Sequence, residues 1–324
     1  MNENVTTKIT PVLFTTGKRS PSRKGPLERV RKWWRSNPGL VIWCSVLLLI
    51  ALISAIGPYF LVSPDAQEPV DRLQGPSAAH LLGTDEFGRD ILSRVVFAGR
   101  ISLGLGAGIT IVAVVLGTAL GMIAGYYRSA SAVVMRVMDA LMAFPALVLA
   151  IALVAALSSQ SGALAEAIAL TVVYTPYVAR VVRSRTISLA ERGFVTAARA
   201  GGVRGSKILL VHVLPNALPT ILVQAAFVYA STLLADASLS FLGLGVAPPT
   251  PTWGNMIADA RPHIDTLPLY IIAPGIAIVL AVMAFNLAGD GIRTMIDPRA
   301  RAILHLQTLQ RRLRRSLTNR EGTN

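Results

Sequence analysis

The sequence predicts an all-α, polytopic membrane protein with six transmembrane helices and both termini in the cytoplasm. Three observations carry this. Of 324 residues, 53% are hydrophobic and only 15% charged, with a mean hydropathy of +0.56, outside the usual balance of a soluble domain. Six apolar runs approach or exceed the roughly 20 residues that cross a bilayer: 40–62, 101–126, 132–157, 164–183, 217–246 and 267–289. The segments between them alternate between basic and acidic or neutral character.

The N-terminal tail, 1–39, carries Lys18, Arg19, Lys24, Arg29, Lys32 and Arg35 among its bases, which places it in the cytoplasm by the positive-inside rule. Within it, "PLERVRKWWRSNPG" sets Leu27, Val30 and Trp34 at helical spacing among cations, a pattern that fits either a short helix lying in the headgroup region or a solvated basic tail. The first span, 40–62, is a retained anchor rather than a cleaved signal, because the tail before it is long. It holds the single cysteine, Cys44, so no disulfide framework or cysteine metal site is available.

Segment 63–100 follows on the outside with Asp65, Glu68, Asp71, Asp85, Glu86 and Asp90. The core, 101–290, holds the other five spans. In the second, Gly117, Gly121 and Gly125 recur every four residues, a helix face that another helix can approach closely. Pro145, Pro176 and Pro274 fall within or near spans and read as packing kinks. Asp139 lies one or two turns in from the cytoplasm, and Asp236, with Ser240 a turn beyond it, is expected at an outer vestibule or along a translocation path.

Between the fourth and fifth spans, segment 184–216 holds Arg185, Arg192, Arg199, Arg204 and Lys207 against one acid, Glu191. Ser188 and Glu191 have capping-box spacing, which predicts a helix through "ERGFVTAARA" that Gly201 and Gly202 end. A second helix is expected over about Ser206 to Leu214, stopped by Pro215 and Pro219. Phe194, Ala197 and Ala198 give the first helix a small apolar ridge. The basic C-terminal tail, 291–324, completes the even count of spans.

Several function classes are excluded. The net charge of +14 sits in segments between spans without a nucleic-acid-binding pattern, so nucleic acid is not a partner. The four histidines form no metal-ligand spacing, and "GLGAG" at Gly104–Gly108 lacks the Lys and Ser/Thr of a phosphate loop. No enzyme constellation is present. A stand-alone channel or gradient-driven carrier stays the alternative from another class, although it predicts inverted repeats and charged sites at the midplane and neither is seen.

The inner segment closely resembles the signature loop of the inner-membrane permeases of bacterial ABC importers: E-A-A, three residues, Gly, nine residues, then I-x-L-P. The matching residues are Thr196, Ala197, Ala198, Gly202, His212, Leu214 and Pro215, with Thr196 in place of the glutamate. The ending His212–Asn216, "HVLPN", is that of the peptide branch. "HLLGTDEFGRDILSRVVFAGRISL" (80–103), "ADASLSFLGLGVAPPTPTWGNMI" (235–257) and "NLAGDGIRTMIDPR" (286–299) look like corresponding stretches of the dipeptide and oligopeptide permeases of the C type. The resemblance implies the type I importer permease fold in the bacterial plasma membrane. It implies a second permease of the B type, one or two ABC ATPases that bind ATP and Mg, and an extracytoplasmic solute-binding protein as partners, with no cofactor on this chain. The loop would be the ATPase-coupling element, through Phe194, Thr196, Ala197, Ala198, Gly201, Gly202, His212, Pro215 and Asn216. Permeases for nickel, glutathione and cationic peptides share these motifs, so the solute stays open within that group.

Overall fold

The computed structural model describes residues 38–157 and 162–296. Nearly all of the N-terminal tail with its expected interfacial helix, and most of the C-terminal tail, lie outside the described residues. What is described is helical apart from irregular segments and one isolated antiparallel bridge between Thr84 and Asp90. Five helices are long and apolar enough to cross a membrane, and a bent pair makes a sixth crossing if counted as one span.

Helix α1, Pro38–Ile56, is apolar all round. Ile42, Leu48, Leu49 and Ile53 stay exposed, as suits a helix whose solvent is lipid. Helix α2, Ile91–Tyr126, has 36 residues and so measures roughly 54 Å. It begins ten residues before the expected start at 101, because Asp90 caps it: its Oδ2 accepts from the Ser93 N–H at 2.7 Å.

The third span is not the continuous helix expected over 132–157. It is α3, Arg128–Met142, followed by α4, Ala146–Ala156, and the two meet at 93°. Pro145 is the cause: it has no N–H to give, and it disfavours helical backbone in the residue before it. Reading it as an ordinary packing kink was therefore too mild.

Helix α5, Gly162–Ala190, passes through Pro176 without breaking and extends seven residues beyond the expected end at 183. After the short helix α6, Gly193–Ala200, comes α7, Gly205–Phe241, wound as a π-helix over Ile208–Val213. The outer segment before the last span folds as α8, Trp253–Ala260, held by a reciprocal Thr252–Asn255 capping box. Helix α9, Pro268–Ile296, closes the bundle with Pro274 inside it.

The glycine stripe settles which surface it packs against. A Cβ at Gly117 would stand 2.5 Å from Val178 Cβ and 2.8 Å from Thr175 O; at Gly121, 2.6 Å from Ala179 O; at Gly125, 2.6 Å from Thr186 Cβ. The stripe thus seats α2 directly on the backbone of α5 in the same chain. Around that seam, Ile109, Val173, Val178, Ile208 and Val213 form one buried cluster. Ile91, Tyr229, Trp253, Met256 and Tyr270 form another between α2, α7, α8 and α9.

Replacing Gly121 by Leu overpacks the seam and is expected to cost about 1–3 kcal/mol or more, read as a lowered melting temperature in detergent. Gly108→Leu is the control, since a Cβ there meets nothing within 4 Å; equal losses at both positions would contradict the seam.

Candidate functional site

Taking the basic end of the bundle as the inner one, the chain leaves α5 at Ala190 and enters α6 at Gly193, with two residues between. The predicted capping box does not form. Ser188 is already in the last turn of α5, and the N-cap of α6 is Arg192, with no side-chain cap bond. The Arg192 carbonyl instead accepts from the N–H groups of Val195 (2.9 Å) and Thr196 (3.1 Å) and from Thr196 Oγ1 at 3.3 Å.

Val195 is the anchor, with no exposed surface. Its burial turns the rest of α6 outward: Phe194 is 41% exposed, Thr196 and Ala197 are exposed, and Ala198 is half-buried. The helix ends as a Schellman motif. Gly202 N–H donates to Arg199 O and Val203 N–H to Ala198 O, both at 3.1 Å. Gly202 takes φ +73°, a conformation that favours glycine, while Gly201 N–H donates to Ala197 O at 2.9 Å.

The way out is stiff as well. The expected second helix does not stop at Leu214 but continues into the membrane. Just ahead of Pro215, the Leu214 N–H reaches back five residues to Leu209 O. The widened turn accommodates a proline that has no N–H to give. Ile208 and Val213 are fully buried, and His212 is half-buried. Asn216 Nδ2 donates to His212 O at 2.7 Å, and Arg185 of α5 reaches Asn216 O at 3.4 Å. Pro215 and Asn216 are exposed.

Sequence reasoning missed the braces. Arg199 lies 5.2 Å from the ring centre of Tyr126, which meets Tyr127 edge to face. Tyr127 also crowds Gly205, where a Cβ would stand 2.6 Å from its hydroxyl. The signal was the "GYY" that ends α2, next to the last glycine of the stripe.

The outer end is built on Asp85. Its carboxylate has no exposed surface and accepts from Arg89 Nε at 2.6 Å and from the N–H groups of Phe87 (2.8 Å) and Arg89 (2.9 Å). Arg94 Nε is 3.6 Å away. Asp90 also takes His80 Nδ1 at 3.1 Å. From α8, Trp253 Nε1 donates to Val95 O at 3.0 Å, and burial pushes the Asp259 carboxyl above the usual carboxylate range, opposed in part by Arg94.

Asp236 and Ser240 do not face a vestibule. Both are buried, at 1% and 3% exposure. Position along the helix suggested the surface, but α8 covers them: a Cβ at Gly254 would lie 2.6 Å from Ser240 Cβ. Asp139 is exposed and holds Arg180 at 2.6 Å. An apolar groove of about 280 Å³ runs between α4, α5 and α7, with Ala146, Leu147, Tyr174, Ser231, Leu234 and Ser238 along it.

Residues 117–302 match the family described as "Binding-protein-dependent transport system inner membrane component". The chain is 41% identical over 280 residues to a dipeptide transport system permease protein of Alkalihalophilus pseudofirmus, covering 86% of this chain and 91% of that one. A glutathione transport system permease protein of Pectobacterium atrosepticum is 40% identical over 296 residues, 90% and 96% of the two chains. A di/tripeptide transport system permease protein of Pseudomonas aeruginosa is 37% identical over 281 residues, 83% and 92%.

Asp85→Asn leaves two buried guanidinium groups short of their counter-charge. The expected loss is about 3–5 kcal/mol, measured as thermal unfolding of the purified protein; an unchanged transition would contradict the buried ion cluster.

Proposed function

This chain belongs to the family of binding-protein-dependent transport system inner membrane components, and we propose that it forms half of a peptide-conducting path driven by separate ATPases through α6. It is a multi-pass permease subunit of an ABC importer and not itself an enzyme. The observation that carries the finer reading is α6 itself. Its single large buried residue points into the bundle, while Phe194, Thr196 and Ala197 are left on the outside of a helix fixed at both ends.

A helix held in this way acts as a lever. Force applied at Phe194 and Ala197 by an ATPase cleft reaches α5 across the two-residue link between the helices, and reaches α7 through the Gly202 corner and the continuous winding into Pro215. Closure of two ATPases around ATP and Mg, which this chain does not bind, rocks α5 and α7 against a second permease of similar fold. The groove between α4, α5 and α7 then belongs to the solute path or to the joint with that second permease. A solute-binding protein delivers at the outer end, over the Asp85 cluster and α8.

Relatives named for dipeptides, di/tripeptides and glutathione support a short peptide as the solute. Glutathione is itself a modified tripeptide, so it falls within the same class. Thr196 stands where the resemblance expects a glutamate. Its hydroxyl bonds back to Arg192 O, which leaves the docking face apolar and uncharged at that point.

Gly202→Asp places a side chain at a backbone conformation it rarely adopts, with a local cost of about 1–3 kcal/mol. The reconstituted complex is expected to assemble with its second permease and ATPases yet lose solute-stimulated ATP hydrolysis and uptake. Full coupling in this variant, or failure of any ATPase to copurify with the native chain in mild detergent, would overturn the reading.

A further inference from the structure

The membrane spans bury one acidic pair that neither the coupling element nor the outer cap uses. Glu166, in the second turn of α5, has no exposed surface, and Asp236, near the outer end of α7, has 1%. Their carboxyl groups are neighbours. Asp236 also meets two hydroxyls, Ser240 Oγ at 3.5 Å and that of Ser102 on α2. Neither oxygen of Glu166 has a donor.

Among the described residues, the surrounding elements supply no counter-charge. From α2, Ser102 Oγ accepts the Trp253 N–H of α8 at 3.3 Å. The Tyr229 hydroxyl of α7 is spent on Leu103 O at 2.6 Å, and that of Tyr174 on α5 on Ser231 O at 3.0 Å. Asp259 of α8 and Tyr270 of α9 belong to the outer cluster with Arg94, Asp85 and Glu86. On α3, Asp139 faces Arg180, and α4 carries no ionisable residue. Among the described residues, no Lys or Arg acts on either carboxyl.

Two ionised carboxylates side by side repel each other, and the protein offers their four acceptor oxygens few donors. An un-ionised carboxylic acid is a donor as well as an acceptor. We propose that Glu166 and Asp236 form a proton-binding site, in which a proton on one carboxyl is the donor the other lacks, and that the pair clasps the fourth and fifth spans together near their outer ends. Like-charged carboxyls that share a site hold a proton between them for the same reason. The groove lies one turn or less away, with Leu170 following Glu166 along α5 and Ala235 beside Asp236 on α7. Loss of the proton would drive apart the two helices that flank it.

Infrared spectroscopy of the full-length chain in its complex, in lipid nanodiscs at neutral pH, tests the clasp without any transport readout. Asp259→Asn serves as the background, because the half-buried Asp259, whose carboxyl is pushed up, could add an acid band of its own. The carbonyl band of an un-ionised carboxylic acid is expected in that protein, moved by deuterium oxide, and lost on adding either Glu166→Gln or Asp236→Asn. If only ionised carboxylate bands change, the proposal falls. Carboxylate bands that move on adding sodium or calcium would overturn it in favour of a metal cation. Should the double variants not accumulate, carboxyl-13C labelling of glutamate and aspartate in the Asp259→Asn protein gives the same reading: an acid band that moves with the label supports the proton, and its absence contradicts it.

Discussion

The whole arrangement depends on how closely α2 can approach α5. In lipid there is no hydrophobic gain from bringing two apolar helices together, so association rests on close packing and hydrogen bonds. Gly117, Gly121 and Gly125 remove three side chains from one face and let carbonyl oxygens of α5 come within van der Waals reach of α2. That contact runs over two helical turns and ends at Thr186, one turn before α5 gives way to α6. The helix that leads into α6 is therefore fixed against the longest helix of the bundle before it ends.

From this seam the two ends follow. At the inner end, α2 finishes in Tyr126 and Tyr127, which brace Arg199 and Gly205 on either side of the Gly202 corner. The corner's shape is thus set by the same helix that sets the seam. At the outer end, the first turns of α2 carry Arg94 into the Asp85 cluster and Ser102 beneath α8. One helix of 36 residues ties a polar outer cap to a polar inner element, and a movement imposed on one is felt at the other only if that helix stays seated on α5.

Much of this was legible in the sequence, and the failures have physical causes. The small-residue face and the Gly-Gly corner depend on local pattern and stand as read, and the six spans stand where the bent pair is counted as one. The capping box at Ser188 and Glu191 did not form, because α5 had not yet ended: local spacing cannot tell whether a preceding helix continues through a candidate cap. Pro145 and Pro215 were misjudged in opposite directions. The first breaks its span into a near right angle. The second is absorbed by the π-turn just ahead of it, which lets the helix run on where local pattern expects a stop. Asp236 was placed at the surface by counting residues along one helix, and only the fold of α8 over it reveals its burial. Its neighbour Glu166, seventy residues away in sequence, could not be paired with it beforehand.

If the exposed face of α6 is the contact through which ATP hydrolysis reaches this chain, as proposed, it must lie against an ATPase in the assembled complex. Cysteine cross-linking tests it most directly: Ala197→Cys in a Cys44→Ser background, assembled with the full complex in membranes and treated with a short thiol cross-linker, against single cysteines placed across the partner ATPase cleft. A covalent adduct between this chain and the ATPase is expected. An Ala197→Cys thiol that aqueous maleimide labels freely in the assembled complex, and that joins no ATPase cysteine, would contradict it.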